Sequence, residues 1–185
     1  MSSAESFFFR FRVRLGYPLA IVVLGFARPM PQSIAAGALV GAIGLWLRAY
    51  AAGHLHKQEA LTVTGPYAFT RNPLYLGSAI LAAGVAVAAR SWISAAILIA
   101  YFAIFYSFVM RREERELSAR HGAVFEEYAK AVPLFFPRLT PAKLSGEPAE
   151  SFSFAQYKKN HEWQAATGFL LLLIALVMIW SLRQH

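Results

Sequence analysis

The sequence lacks cysteine and aspartate, and charged residues are few for its length. Without Cys it can form no disulfide bond, thiolate nucleophile or Cys-based metal site. All ten acidic residues are Glu. Only 15% of the 185 residues are charged, against roughly 25% in soluble domains, and 57% are hydrophobic. This composition predicts an integral, multi-pass membrane protein that forms a single all-α helix bundle over residues 1–185, with the lipid bilayer as its surroundings.

The positive net charge and the N-terminal residues both indicate a membrane surface. The formal net charge is +8, and in a chain this apolar we expect no nucleic-acid partner. Near the N-terminus Phe residues are interspersed with Arg10, Arg12 and Arg14, without the short apolar core and small-residue cleavage site of a signal peptide. This stretch is typical of an interfacial segment, with aromatic rings at headgroup level and Arg facing anionic lipid.

Five apolar stretches predict five transmembrane helices, at about residues 17–27, 33–52, 73–89, 92–110 and 163–182. The first is shorter than the roughly 20 residues of a straight crossing, so it must include the preceding Phe-rich residues, thin the bilayer or be re-entrant. Gly37, Gly41 and Gly44 form a small-residue stripe for close helix packing, within the chain or between chains, which leaves the oligomeric state open. The short turn at Arg90 and Ser91 makes the third and fourth helices antiparallel neighbours.

The distribution of Lys and Arg predicts which side of the membrane each loop faces. With a cytoplasmic N-terminus, fourteen positive residues fall in residues 1–16, 53–72 and 111–162, whereas only Arg28, Arg90 and Arg183 fall on the other side. Residues 111–117 are predicted to continue the fourth helix as a polar segment, which Gly122 ends. The loop of residues 65–77 and the pair Glu113 and Glu114 then share the cytoplasmic face. They lie at the ends of one helical hairpin and should be close together.

The loop of residues 65–77 reads Gly-Pro-Tyr-Ala-Phe-Thr-Arg-Asn-Pro-Leu-Tyr-Leu-Gly. Pro66 and Pro73 restrict the residues before them to extended conformations, so helix is not expected through Gly65 and Asn72. Pro73 can itself begin the next helix, and free N–H groups at such a helix start suit an anionic ligand. From spacing alone, an ordinary connector between two helices is the simpler interpretation.

Two polar residues near the end of the second apolar stretch are further candidates. Arg48 either extends its guanidinium to the interface or anchors an anionic group of a lipid or cofactor, and it is therefore the candidate substrate-binding residue. His54 and His56 are two positions apart and do not share a helix face, and no Cys or Asp completes a ligand set, so no metal site is predicted. We expect His54 to be an interfacial residue that lines the same site as the loop.

Several motifs within residues 53–138 occur in a characteristic order. Gly65-Pro66-Tyr67 is followed by Arg71-Asn72-Pro73-x-Tyr75-x-Gly77, then by Glu113-Glu114, and then by Gly122, Tyr128 and Val132-Pro133-x-x-x-Pro137. Together these motifs resemble the isoprenylcysteine carboxyl methyltransferase and phospholipid methyltransferase superfamily. The resemblance implies an integral membrane methyltransferase that uses S-adenosylmethionine in a helical and loop region on the cytosolic face. It also implies an acceptor that enters from the bilayer.

The resemblance also implies a set of site residues on and near the loop. The cofactor-binding candidates, with the neighbouring His54 and Gly65 included, are His54, Gly65, Tyr67, Arg71, Asn72, Pro73, Tyr75, Gly77, Glu113 and Glu114, and the catalytic candidates are Arg71 and Glu114. Asn72 stands where the superfamily usually has His. Because an amide can donate or accept a hydrogen bond but is neither a base nor a cation near neutral pH, we expect Asn72 to bind and not to transfer protons.

These residue types suit the groups of the implied cofactor. Glu carboxylates suit its ribose hydroxyls or ammonium, and Arg71 with the helix start suits its carboxylate. Tyr67 and Tyr75 offer ring faces for the adenine or the sulfonium. A base is needed only if the acceptor arrives protonated, and Glu113, Glu114 or His54 could serve. The acceptor stays open among a lipid amine, an isoprenoid carboxylate or thiol, and a small hydrophobic molecule.

Two other functions are compatible with the sequence. Sterol and steroid reductases carry a similar Arg-His-Pro-Asn-Tyr segment and use NADPH, but they are longer, and their nicotinamide-binding parts have no counterpart in this sequence. A non-catalytic membrane scaffold would form a stable bundle that binds no nucleotide cofactor. Titration with S-adenosylhomocysteine and with NADPH separates the three.

Overall fold

The structure, a computed structural model, describes residues 3–55, 61–143 and 151–184, with side chains from residue 15 onward. These residues form seven α-helices and a short 3₁₀ turn, and no strand occurs among them. The helices are α1 (Ser3–Phe26), α2 (Pro31–His54), α3 (Pro73–Ala89), α4 (Trp92–His121), α5 (Ala123–Ala131), α6 (Phe154–Lys159) and α7 (Trp163–Leu182), and the turn is Gly65–Ala68. The prediction of an all-α membrane helix bundle is confirmed.

Three helices, α2, α4 and α7, are each long and apolar enough to cross a membrane. The apolar part of α1, Leu15–Phe26, and all of α3 are shorter. A helix of 17 residues such as α3 rises about 26 Å, somewhat less than the roughly 30 Å of a hydrocarbon core. Because α1 runs unbroken from Ser3 to Phe26, its apolar part is one end of a longer helix, as the first of the three alternatives requires. The five predicted spans are compatible with these lengths.

The predicted ends of the other helices agree closely with the structure. α3 and α7 have the predicted bounds, and α4 continues beyond the apolar stretch to His121, as expected of its polar extension. Gly122 ends it with a positive φ of 51°, a conformation that glycine adopts without strain. His56, the side chains of residues 7–14 and most of the predicted loop at 140–151 lie outside the described part.

The glycine stripe of α2 packs against α3 within the chain. A Cβ placed on Gly44 would lie 2.7 Å from the carbonyl oxygen of Gly77, and one on Gly84 would lie 2.6 Å from the backbone nitrogen of Gly41. A Cβ on Gly37 would likewise lie too close to the carbonyl oxygen of Gly84. The two backbones can therefore approach this closely because both helices carry glycine at the contact.

The remaining helices pack around this pair. Phe169 of α7 fills the space next to Gly41, and it joins Val23 of α1 and Val85 of α3 in a buried apolar cluster. A second cluster lies at the end of the bundle that carries the loop of residues 65–77. There, α5 packs beneath the segment that leads into the loop, through Leu61, Val63, Phe125, Tyr128 and Val132.

The segment before α7 folds back over the end of α2. The backbone N–H of Ser153 donates to the carbonyl oxygen of Gly53 (2.9 Å), and the side-chain amide of Asn160 donates to the carbonyl oxygens of Ala52 (2.8 Å) and Leu55 (3.1 Å). These bonds satisfy carbonyl groups that the end of a helix leaves without partners. Glu162, the last residue before α7, follows this docked segment and pairs with Arg48.

Candidate functional site

The loop of residues 65–77 forms one wall of a polar site. Gly65 has a φ of +59°, and a Cβ there would lie 2.6 Å from the His54 ring, so both the backbone and the space require glycine. The 3₁₀ turn that it begins buries Pro66, Tyr67 and Ala68. Pro73 is the first residue of α3, as predicted. The loop is therefore a fixed structure whose polar groups face inward.

Two side-chain contacts join this loop to α4. The Arg71 guanidinium (Nη1) lies 2.5 Å from Glu114 Oε1, and the Tyr75 hydroxyl donates to Glu113 Oε1 at 2.5 Å. The predicted proximity of the loop to the two Glu residues is confirmed. Because adjacent residues of a helix point in different directions, each carboxylate reaches a different partner. The pair thus forms a second wall of the site.

Three buried polar atoms in and beside the loop have no hydrogen-bond partner within the described structure. They are the Tyr67 hydroxyl, Arg71 Nε and Thr64 Oγ1. Arg71 is otherwise well held, since its guanidinium lies over the Phe125 ring at 5.9 Å and its backbone N–H donates to Pro133 O at 3.0 Å. Buried polar groups are nearly always satisfied in native structures, so orphan atoms beside a charged cluster indicate a place for a polar ligand.

Two of the tyrosines of this region, Tyr67 and Tyr128, stay neutral at physiological pH. Burial raises the pKa of the Tyr67 phenol well above its usual value, and neighbouring Tyr128, Glu113, Glu162 and Tyr75 raise it further. Burial likewise raises the pKa of Tyr128, whose hydroxyl donates to Tyr67 O at 2.8 Å. Tyr67 is therefore available as a hydrogen-bond donor and is not a base in this site.

Asn72 ties the loop to the segment that follows α5. Its side-chain amide donates to Leu134 O at 2.9 Å, and its backbone N–H donates to Thr70 Oγ1 at 3.3 Å. Thr70 Oγ1 in turn donates to Phe135 O at 2.9 Å. These bonds fix the backbone at the start of α3, where Arg71 and Tyr75 are presented.

Replacing Asn72 by His is expected to leave binding of the cofactor that the sequence motifs imply nearly unchanged. An imidazole N–H can donate to Leu134 O as the amide does, so we expect Asn72→His to bind S-adenosylhomocysteine with a Kd within about fivefold of the original, which is under about 1 kcal/mol. Asn72→Leu, which leaves that carbonyl without its donor, is the matched control and should bind more weakly. Loss of binding in Asn72→His would show that an amide is specifically required.

Arg48 has a partner that neither of its two interpretations included. Arg48 Nε donates to Glu162 Oε2 at 2.9 Å and Nη2 to Glu162 Oε1 at 3.0 Å, while Nη1 donates to Leu74 O at 3.2 Å and to Ser78 Oγ. The guanidinium therefore lies inside the bundle in a bidentate ion pair. Gly77 makes room for it, because a Cβ there would lie 2.6 Å from Arg48 Cγ.

His54 lies beside the loop and is buried. Its Nδ1 is 2.9 Å from Tyr50 O, and its ring contacts the rings of Tyr50 and Phe152 edge-on. The structure thus brings all eleven predicted site residues, Arg48 included, to one end of the bundle around α2, α3 and α4. Glu162, the partner of Arg48, was missed. The available signal was charge balance, because an Arg in an apolar helix needs an acid and Glu162 directly precedes the last helix.

An apolar groove of about 280 Å³ adjoins the polar site. Its walls come from α2, from the start of α3 and from the loop: Trp46, Leu47, Tyr50, Pro66, Phe69, Thr70, Pro73, Leu76 and Pro137. Trp46 is 65% exposed, on the same helix as the exposed Leu39 and Ile43. Pro66 and Pro73, which line the groove, are the chain neighbours of Tyr67 and Asn72, so the groove lies against the loop of the polar site.

No cluster of three His, Asp or Glu side chains in the described ranges could hold a metal ion. The polar site is instead built from two ion pairs, three tyrosines and a helix start. It can bind a ligand that carries both charges and hydrogen-bonding groups, next to an apolar chain.

Comparison with known proteins finds relatives that are named for metal resistance. The nickel-cobalt-cadmium resistance protein NccN of Alcaligenes xylosoxydans xylosoxydans is 38% identical over 105 residues, which cover 56% of this chain and 48% of that protein. The cobalt-zinc-cadmium resistance protein CzcN of Cupriavidus metallidurans is 33% identical over 116 residues, which cover 63% of this chain and 51% of that protein. The chain thus spans about half the length of the curated relatives it matches. No solved structure matches it significantly.

The family comparison covers the loop, the helical hairpin and both Glu residues of the site. The profile of the phospholipid methyltransferase family matches residues 20–123, more than half of the chain. This stretch contains α2, α3 and α4 almost entirely, together with Arg48, Arg71, Tyr75, Glu113 and Glu114. The chain belongs to the phospholipid methyltransferase family, within the superfamily that also contains the isoprenylcysteine carboxyl methyltransferases.

Proposed function

We propose that this chain transfers the methyl group of S-adenosylmethionine to a lipophilic acceptor at the membrane face that carries residues 65–77. The observation that carries the proposal is the joining of this loop to α4 by Arg71–Glu114 and Tyr75–Glu113, beside the orphan hydroxyl of Tyr67. Membership of a family of membrane methyltransferases supports it. The charge bias of the sequence supports a cytoplasmic position for this face and for the N-terminus.

The residues present fit the groups of this cofactor. The amino acid end carries both charges, and the site offers Arg71 with the N–H groups at the start of α3 for a carboxylate, and Glu113 or Glu114 for an ammonium or for ribose hydroxyls. Tyr67 and Arg71 each hold a buried donor without a partner, which a ligand could satisfy. The faces of Tyr67 and Tyr75 suit an aromatic ring or a cationic sulfur.

The cofactor supplies an electrophilic methyl group, and the protein's part is positioning. In-line displacement needs the two reactants held at the correct distance in a site that excludes water, and no covalent enzyme intermediate is required. Glu114, Glu113 or His54 could accept a proton if the acceptor arrives protonated. Tyr67 cannot take this part, because burial raises its pKa and keeps the phenol neutral.

The apolar groove is the natural place for the acceptor's chain. It is lined by apolar side chains of α2 and α3 and leads from the exposed Trp46 toward Pro66 and Pro73 at the polar site. An acceptor could therefore keep its apolar part out of water while its reactive group meets the polar residues. The groove suits a lipid amine, an isoprenoid compound and a small hydrophobic molecule alike, so the acceptor class is lipophilic.

Titration of the detergent-purified chain tests the proposal. We expect S-adenosylhomocysteine to raise the midpoint of thermal unfolding, since a ligand at a hundred times its Kd stabilises the folded state by about 2.7 kcal/mol. NADPH is the comparison ligand and should have no effect. A response to NADPH alone would instead support a membrane reductase, and no response to either would support a non-catalytic scaffold.

A further inference from the structure

The ion pair between Arg48 and Glu162 joins the last helix to the proposed cofactor site. We propose that Glu162 is a positioning residue for that site: it fixes Arg48, and Arg48 fixes the first turn of α3. The proposal rests on the proposed function, because the site that it positions is the cofactor site. It assigns a role to a residue outside the stretch matched by the family, residues 20–123.

Arg48 and Glu162 form a bidentate ion pair, whose geometry is closely defined. One edge of the Arg48 guanidinium is fully used by Glu162, since Nε and Nη2 donate to its two carboxylate oxygens at 2.9 and 3.0 Å. The two side chains are only 19% and 11% exposed. A bidentate Arg–carboxylate pair has one preferred planar arrangement, so Glu162 sets the orientation of Arg48 as well as neutralising it.

Arg48 transmits this orientation to α3. Its remaining nitrogen, Nη1, donates to Leu74 O and to Ser78 Oγ, and its stem crosses α3 at Gly77, where a Cβ would lie 2.6 Å from Arg48 Cγ. Leu74 directly precedes Tyr75, whose hydroxyl binds Glu113. Because Gly77 has no side chain, Arg48 can cross α3 there and hold the turn that presents Tyr75.

The C-terminal segment docks on the end of α2 through contacts other than the ion pair. Asn160 donates to Ala52 O and Leu55 O, the N–H of Ser153 donates to Gly53 O, and the Phe152 ring covers Gly53. Glu162 follows two residues after Asn160 and lies against Arg48, which is about one α-helical turn before Ala52. The docked segment and the ion pair are separate sets of contacts, so their effects can be separated by mutation.

Neutralising Glu162 should disturb the site more than it disturbs the fold. Glu162→Gln keeps the size of the side chain but leaves Arg48 without its counter-charge, which is costly for a largely buried guanidinium. In the full chain in detergent, we expect the Kd for S-adenosylhomocysteine to rise by about tenfold or more, the size of effect that outer partners of binding residues commonly have. Glu162→Asp keeps the charge and should recover part of the affinity.

Two controls separate positioning from general loss of structure. Asn160→Ala removes a docking contact of the same segment and should lower the unfolding midpoint with little change in Kd. Glu116→Gln neutralises the exposed partner of Arg112 and should change neither. If Glu162→Gln does not fold, Ser78→Ala offers a milder test, because it removes one Arg48 contact and keeps the ion pair, and it should raise the Kd by about threefold.

The outcomes are distinct. Weaker binding in Glu162→Gln with partial recovery in Glu162→Asp, and unchanged binding in Asn160→Ala, would support the proposal. An unchanged Kd in Glu162→Gln and Ser78→Ala, or equal weakening in Glu162→Gln and Asn160→Ala, would overturn it and leave the proposed function standing. An original chain that binds no S-adenosylhomocysteine would overturn both.

Discussion

Replacing Arg71 by alanine is expected to weaken binding of S-adenosylhomocysteine by about a hundredfold, or about 2.7 kcal/mol. Arg71 lies in the loop motif, pairs with Glu114 at 2.5 Å and carries the buried, unpartnered Nε. A guanidinium in this setting is the strongest single group in the site for an anionic ligand, because hydrogen bonds to charged groups are about twice as strong as neutral ones. Its removal also leaves the Glu114 carboxylate without its partner.

Glu114→Ala should weaken binding by a similar amount while the chain stays folded. The pair lies at the end of the bundle, where Glu114 is 32% exposed, so the loss of stability should be modest. Isothermal titration of the two single variants and the double variant would complete a mutant cycle, and we expect strong non-additivity because both residues serve one site. Arg71→Lys should recover little of the affinity, since an ammonium lacks the planar set of N–H donors that a guanidinium offers.

A surface ion pair on the same helix provides the control. Arg112 and Glu116 are one turn apart, at 2.7 Å, and Glu116 is 56% exposed. Glu116→Ala therefore removes a comparable contact from α4 without touching the loop, and it should leave the Kd unchanged. Equal affinities in the original chain, Arg71→Ala and Glu114→Ala would remove these residues from the cofactor site.

Local sequence signals were sufficient for the long apolar helices α2, α3, α4 and α7, and for the part of the site that lies on the α3–α4 hairpin. Pro73 fixes the start of α3, Arg90 and Ser91 form its short turn into α4, and the bounds of both α3 and α7 follow from proline, glycine and hydropathy alone. The nearness of residues 65–77 to Glu113 and Glu114 followed from the antiparallel hairpin. These features depend on residues close in sequence or on helices joined by a short turn.

The rest of the site depends on contacts that no local pattern encodes. Arg48 and Glu162 are 114 positions apart, and their pairing is set by how α7 packs on α2. The groove likewise forms only where α2, the loop and Pro137 meet. The extension of α1 back to Ser3 was only one of three alternatives, because Arg residues interrupt the hydropathy there without interrupting the helix. Charge balance could have indicated Glu162 as the partner of Arg48, but it could not have given the geometry of the ion pair.

The largest effect on stability is expected for Gly84→Ala, at the contact of α2 with α3. A Cβ at position 84 would lie 2.6 Å from the backbone nitrogen of Gly41 and 2.7 Å from the carbonyl oxygen of Gly37. Backbone atoms in a helix cannot turn aside as a flexible side chain can, so the two helices must move apart. We expect a loss of about 3 kcal/mol or more, at the upper end of the usual cost of overpacking.

Helix propensity alone would make Gly84→Ala stabilising, so it opposes the loss of stability that we expect from packing. Alanine favours a helix by about 1 kcal/mol over glycine, so any loss at position 84 comes from packing. Gly168, inside α7, is the matched control because a Cβ there meets nothing within 4 Å. Gly168→Ala should therefore be neutral or stabilising. Unfolding of both variants in detergent, by heat or by denaturant, measures the difference.

The packing defect should also reach the site, because α2 carries Arg48 and α3 carries Tyr75. Separating the two helices pulls Arg48 away from Leu74 and Ser78, to which it is hydrogen-bonded. Folded Gly84→Ala should therefore also bind S-adenosylhomocysteine more weakly than Gly168→Ala does. If the two variants were equally stable and bound equally well, the close backbone contact between α2 and α3 would not be what holds this site together.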